Sequence, residues 1–130
     1  MIISAAYAAG LFDGEGCVTF YQSRGYTNPI LVIAISDRWA LESLATRWGG
    51  RVHNLASQQK PGRLPIYHWR LFGKTALDFA LDIRPHLLIK RAEIDIVLPY
   101  LGCYGRQPEK HAARAALRAL RADRPRTVSA

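Results

Sequence analysis

"AAGLFDGEGCVTFY", Ala8 to Tyr21, decides how this chain is read. Small residues run into two acids, Asp13 and Glu15, on either side of Gly14, and then apolar and polar residues begin to alternate. Ser4 is suited to cap a helix over Ala5 to Phe12, with alanines and glycines supplying one narrow side. Gly14 and Gly16 are expected to end it, because glycine takes positive φ at little cost. From Cys17 to Arg24 the alternation of β-branched and aromatic residues reads as a strand. Acids beside a helix C-terminus oppose the helix dipole, so local stability does not account for Asp13 and Glu15.

Working outward, Gly25 to Pro29 reads as a turn and Ile30 to Ser36 as a second strand, giving a hairpin. Asp37 caps a helix from Arg38 to Trp48, which Gly49-Gly50 stops. Arg51 to Ser57 and Ile66 to Gly73 form a second hairpin, with Lys60 and Arg63 in its connecting loop. A helix follows over Lys74 to Ile83, and Pro85 opens a helical stretch that reaches Leu101. Glu109 to Ala122 is a last helix rich in alanine and arginine. The fold class is therefore α+β: an αββαββα order, extended by a further helix, with helices on one face of a four-stranded antiparallel sheet. Residues 1–104 make the main domain, and residues 105–130 a basic C-terminal helix and tail.

Eighteen Lys and Arg against ten Asp and Glu give a net charge of +8 in 130 residues. The usual partner of such a balance is a polyanion, nucleic acid first. The charge is uneven: seven basic residues against Glu109 and Asp123 lie from Gly105 onward. Two cysteines, Cys17 and Cys103, are not in a CxxC spacing, which argues against a zinc site or disulfide framework. No apolar run approaches a membrane span, so no membrane partner is expected. Together these point to a reduced, intracellular protein. Fourteen arginines against four lysines hint at a GC-rich genome, and so at a bacterium or a phage-infected cell.

One face of an antiparallel sheet is free once helices cover the other. On the first strand Thr19, Tyr21 and Ser23 alternate with Val18, Phe20 and Gln22. Arg51 and His53 on the third strand, and His68 and Arg70 on the fourth, share a plausible face with them. These seven are the candidates for reading base edges in a DNA groove. Arg24, Lys60 and Arg63 sit at hairpin tips, where phosphate contact is more natural. Ile30, Val32 and Ala34 would face the DNA too if Leu31, Ile33 and Ile35 face the core, and would either touch thymine methyls or mark a looser readout.

Residue by residue, "AAGLFDGEG" resembles the signature of the LAGLIDADG homing endonucleases. Ala9, Gly10, Leu11, Asp13 and Gly16 match it. Ala8, Phe12, Gly14 and Glu15 stand in place of leucine, isoleucine, alanine and aspartate. "RPHLLIKRAEID" resembles the family's segment carrying an active-site lysine, here Lys90. The resemblance covers residues 3–101 and implies a saddle-shaped sheet and a divalent-metal endonuclease of double-stranded DNA. Signature helices of two subunits would pack through Ala5, Ala6, Ala9 and Gly10. Glu15, with Asp13 in support, would then hold Mg²⁺ or Mn²⁺ at the shared centre. Lys90 would stabilise the pentavalent phosphate or polarise water. Ser36 or Asp37 stands where the family often places a water-organising residue, but the sequence is shortened at that junction and Asp37 reads first as a helix cap. A single copy of the motif implies a homodimer and a pseudo-palindromic target; the family is one associated with intron or intein mobility, and a free-standing gene is equally open.

The same resemblance admits a non-cleaving DNA-binding regulator, or a maturase that binds RNA. An HNH-type nuclease is not supported, since His53-Asn54 has no further His/Asn set at a suitable spacing. The Arg-rich last helix lacks the bulky residues that membrane insertion needs.

Overall fold

The computed structural model describes residues 2–55 and 61–123. Its elements run α1 (Ala5–Glu15), β1 (Gly16–Ser23), β2 (Tyr26–Ile35), α2 (Arg38–Trp48), β3 (Val52–Asn54), β4 (Tyr67–Leu71), α3 (Gly73–Ile83), α4 (Arg91–Val97) and α5 (Gln107–Ala122). Short 3₁₀ turns at Arg84–His86 and Leu98–Tyr100 flank α4. The four strands form one antiparallel sheet in the order β1-β2-β4-β3. This is the α+β architecture expected. None of the described helices is long and apolar enough to cross a membrane.

Alternation decides which sheet face is covered. Val18, Leu31, Ile33, Trp69 and Leu71 are buried and join Ala8, Ala9 and Phe12 of α1 in one core. Phe79 of α3 is its hub, meeting Phe12, Trp48 and Trp69 edge-on at ring separations of 5.9, 5.0 and 5.0 Å. That one side chain ties α1, α2, α3 and β4 together, and such edge-to-face pairs add to the area they bury.

Several boundaries differ from the sequence reading. Helix α1 does not stop at Phe12; it continues through Gly14 to Glu15. Gly16, its cap, has φ −80°, so positive φ is not why glycine stands there. A Cβ at Gly16 would lie 2.5 Å from two Phe12 ring atoms. The chain can turn straight from helix into strand only because that atom is missing.

The expected turn at Gly25–Pro29 is instead the two residues Arg24 and Gly25, both at positive φ (53° and 81°), with Ser23 paired to Tyr26. That is the tight loop matching strand twist, so Tyr26 to Pro29 belong to β2. Strand β3 has three residues, fewer than expected; Arg51 precedes it, and the expected end at Ser57 lies outside the described residues.

The stretch from Pro85 to Leu101 is not one helix. Asp13 draws the successive amides of Leu88, Ile89 and Lys90 out of any helical ladder, and α4 begins only after them.

Helix α5 packs on β1, β2 and α4, and its Leu117 lies in the core. Gln107 mimics a neighbouring strand where β4 has ended. The Thr27 amide donates to Gln107 Oε1 (2.8 Å), and Gln107 Nε2 donates to the Thr27 carbonyl (3.1 Å). Arg121 donates to the Val18 carbonyl on the open edge of β1 and pairs with buried Glu93 at 3.0 Å.

Candidate nucleic-acid interface and metal centre

Strand register fixes what shares the uncovered face of the sheet. Cys17 opposes Val32, which opposes Arg70; Thr19 opposes Ile30, Tyr21 opposes Asn28, and Ser23 opposes Tyr26. One row nearer the end of α1, Ala34 opposes His68, which opposes His53. Directly opposed residues point to the same side of a sheet. Thr19, Tyr21, Ser23, His53, His68 and Arg70 therefore lie together on the face away from the core. Arg51, one residue before β3, is exposed. Ala34 is exposed and Val32 partly so, but Ile30 is only 2% exposed. At that burial its methyls are beyond the reach of a thymine.

The two histidines meet edge-on, with ring centroids 5.2 Å apart. Burial lowers the His68 pKa below its ordinary value, and the charges of Arg70 and His53 lower it further. A neutral imidazole carries one donor and one acceptor, the equipment for a base edge. Arg24 stands exposed at the hairpin tip and Arg63 is exposed in the β3–β4 loop; Lys60 lies outside the described residues.

At the end of α1 the two acids have different surroundings. The Asp13 carboxylate accepts three backbone hydrogen bonds, from Leu88 (2.8 Å), Ile89 (3.0 Å) and Lys90 (2.9 Å). Lys90 Nζ in turn donates to the Asp13 carbonyl at 3.1 Å. Glu15, two residues on, is exposed, and no ion pair engages it among the described residues. Lys90 is thus held at the helix end that also carries Glu15, while Asp13 is committed to the loop that carries Lys90. No group of three or more His, Cys, Asp or Glu among the described residues could hold a metal ion. One chain offers one uncommitted carboxylate there. Asp37 Oδ1 accepts the Ala40 amide at 3.1 Å and caps α2.

Of the four small residues read as a subunit contact, Ala6 and Gly10 are exposed, Ala5 is half-buried, and Ala9 lies wholly in the chain's own core. The exposed line continues to Gly14, one turn further on. The spacing 6, 10, 14 was visible in the sequence, but reading Gly14 as a helix terminator hid it. A Cβ at Gly10 or Gly14 would meet nothing within 4 Å. Nothing inside the chain requires glycine at either place.

This arrangement of helices over a four-stranded sheet is the LAGLIDADG fold. The homing endonuclease I-CvuI, in complex with its target in the presence of calcium, superposes with a TM-score of 0.69 at 18% identity, over 95% of this chain and 85% of that one. I-GzeII, a LAGLIDADG homing endonuclease in complex with a DNA target, gives a TM-score of 0.65 at 14% identity. The match covers 98% of this chain and 51% of I-GzeII. I-TnaI, also a homing endonuclease, gives 0.55 at 20% identity, over 75% of this chain and 70% of its own. No protein-family model and no curated protein sequence matches.

Proposed function

We propose that the protein is a homodimeric endonuclease that hydrolyses phosphodiester bonds of double-stranded DNA at a long pseudo-palindromic site, using Mg²⁺ or Mn²⁺. The observation that carries this reading is the end of α1, where a free carboxylate, Glu15, stands beside a lysine held in place by its neighbour's backbone. An exposed carboxylate suits magnesium, which takes few protein oxygens and keeps several waters. When bound, such an ion neutralises phosphate charge and activates water. Glu15 holds it, and Asp13 acts by fixing the Lys90 loop. Lys90 places its ammonium against charge developing on the phosphate. Asp37 serves as a cap.

Two chains joined through the Ala6, Gly10 and Gly14 line of α1 bring two Glu15 carboxylates to one centre. Mid-helix glycine costs roughly 1 kcal/mol relative to alanine. Close approach of a second helix gives a reason for that cost. An eight-residue strand such as β1 spans about 26 Å at roughly 3.3 Å per residue. This corresponds to about eight base pairs per subunit, and a dimer reads on the order of one and a half helical turns. The outer-face residues supply base contacts, with Arg24 and Arg63 on phosphates. The overall charge of +8 supports the polyanion partner, and the cell interior is the proposed compartment.

The test is selection of cut sites from a randomised palindromic duplex library with Mg²⁺, comparing the natural chain with Glu15→Gln at matched binding. Selected cutting by the former and binding without cutting by the latter is the expected result. Binding of the same sites with no cutting by either, in Mg²⁺ or Mn²⁺, would leave a DNA-binding regulator.

A further inference from the structure

Where β4 ends, β1 and β2 run on without a strand beside them, and the chain between α4 and α5 crosses the gap. A cavity of about 290 Å³ opens there, on the rim of the uncovered sheet face. Tyr21 and Phe72 form one wall, their ring centroids 6.0 Å apart. Tyr100 and Tyr104 come from the opposite segment. Phe72 is 57% exposed and Tyr104 98%, so neither ring is spent on the core. Lys74 lines the cavity, and the Arg106 guanidinium lies 5.1 Å from the centroid of the Tyr100 ring. Arg106 is held at φ 54°, a left-handed conformation uncommon outside glycine.

A polar group within the cavity is also set in advance. Lys110 is fully buried and donates to Asn28 Oδ1 at 2.9 Å and to the Cys103 carbonyl at 2.6 Å. A buried ammonium on Oδ1 settles which way the amide is turned. Asn28 lines the cavity, and its amide is held there in one orientation.

We propose that this cleft is a nucleobase site: it takes one unpaired base of the bound nucleic acid against Tyr104, Phe72 and Tyr21, with Asn28 on the base edge and Lys74 and Arg106 on the adjoining phosphates. The proposal rests on the DNA-binding reading and extends it. Aromatic faces accept any base by stacking, and cations track the backbone beside them. The volume suits one ring system and lies at the low end of small-molecule sites. Tyr21 belongs both to the sheet face and to the cleft wall, so a strand leaving the sheet meets the cleft without a gap.

The test uses the full chain on a selected duplex carrying 5-iodouracil, a photoactivatable thymine analogue, at matched occupancy. The probe is placed either in a single-stranded overhang beside the site or at a paired position near the β1–β2 hairpin. Crosslinks mapped to Tyr104 or Phe72 and lost in Tyr104→Ala are the expected result. Because Tyr104 is almost wholly exposed, that variant keeps its fold. Crosslinking from the overhang alone identifies an unpaired flank as the source, and from the paired position an extruded base. Crosslinks confined to sheet residues, Tyr21 among them, or indifferent to Tyr104→Ala, would overturn the proposal.

If the chain holds no duplex, the DNA-binding reading fails first. The cleft is then tested by titrating a five-nucleotide single strand against tyrosine fluorescence. Saturable quenching, weakened about fivefold or more by Tyr104→Ala, supports it, and no quenching refutes it.

Discussion

Asp13 and Lys90 hold each other twice, across 77 residues of chain: the Lys90 amide donates to the Asp13 carboxylate at 2.9 Å, and Lys90 Nζ donates to the Asp13 carbonyl at 3.1 Å. The side chain of the acid fixes the backbone of the lysine, and the side chain of the lysine covers a carbonyl at the end of α1. A cation there also complements the helix dipole. The amides of Leu88 and Ile89 complete the hold.

Replacing Asp13 is therefore expected to lower stability and, on the proposed nuclease reading, cleavage with it. Asp13→Asn removes one acceptor oxygen and the charge behind three hydrogen bonds, at a cost of about 2 kcal/mol. Glu15→Gln, at an exposed position, is expected to leave the urea midpoint unchanged. Chemical denaturation of the two variants side by side checks this; equal loss in both would mean Glu15 is also structural.

Gly10→Leu separates the two uses of α1. With nothing within 4 Å of a Cβ at Gly10, the helix accepts the larger residue, and the monomer gains some tenths of a kcal/mol to about 1 kcal/mol from better helix propensity. A second helix packed against that face cannot accept it. Sedimentation equilibrium is expected to show the natural chain as a dimer and the variant as a folded monomer with unchanged helical circular dichroism.

Stability is expected to fall on the acid side of neutrality through His68. Its pKa is lowered in the folded chain by burial, then by Arg70 and His53, from the ordinary 6.5. The unfolded chain takes up the proton first as pH falls, so this contribution is complete above pH 6.5 and is lost as pH drops through the lowered folded value. Urea midpoints at pH 7.5 and 5.5 are expected to differ less in His68→Gln than in the natural chain.

Arg121 fastens α5 to the sheet. Arg121→Gln gives up the charged bond to Glu93, whose side chain is 1% exposed, and weakens the cover of the Val18 carbonyl. The expected loss is about 2 kcal/mol, measured by denaturant titration. Removing residues 105–130 altogether exposes the core around Leu117 and is expected to leave the remainder unfolded or aggregated.

Base readers and phosphate binders are expected to separate in salt titrations of binding. Arg24→Ala weakens all sequences alike and lowers the salt slope by about one. Arg70→Ala and His68→Gln change which selected sites are preferred.

The local pattern of the chain determined a good deal. Alternation along β1 and β4 separates core from outer face without any knowledge of the partner strand. This is why Thr19, Tyr21, His68 and Arg70 could be assigned to one face from period alone. Asp37 could be read as a cap because a cap bonds its own helix three residues on. The pairing of acids with small residues marked the end of α1 as unusual. Only the tertiary structure decided the rest. Asp13 takes its partners from 75 to 77 residues away, and no local rule reaches that far. Ala9 differs from Ala6 and Gly10 only by which side of α1 meets Phe79 and the sheet. Gly16 is needed because of a ring that folds back onto it. The cleft at Tyr104 exists because β4 stops short of the β1–β2 hairpin. Each of these turns on contact between segments distant in sequence, and such contact is set by how whole elements pack.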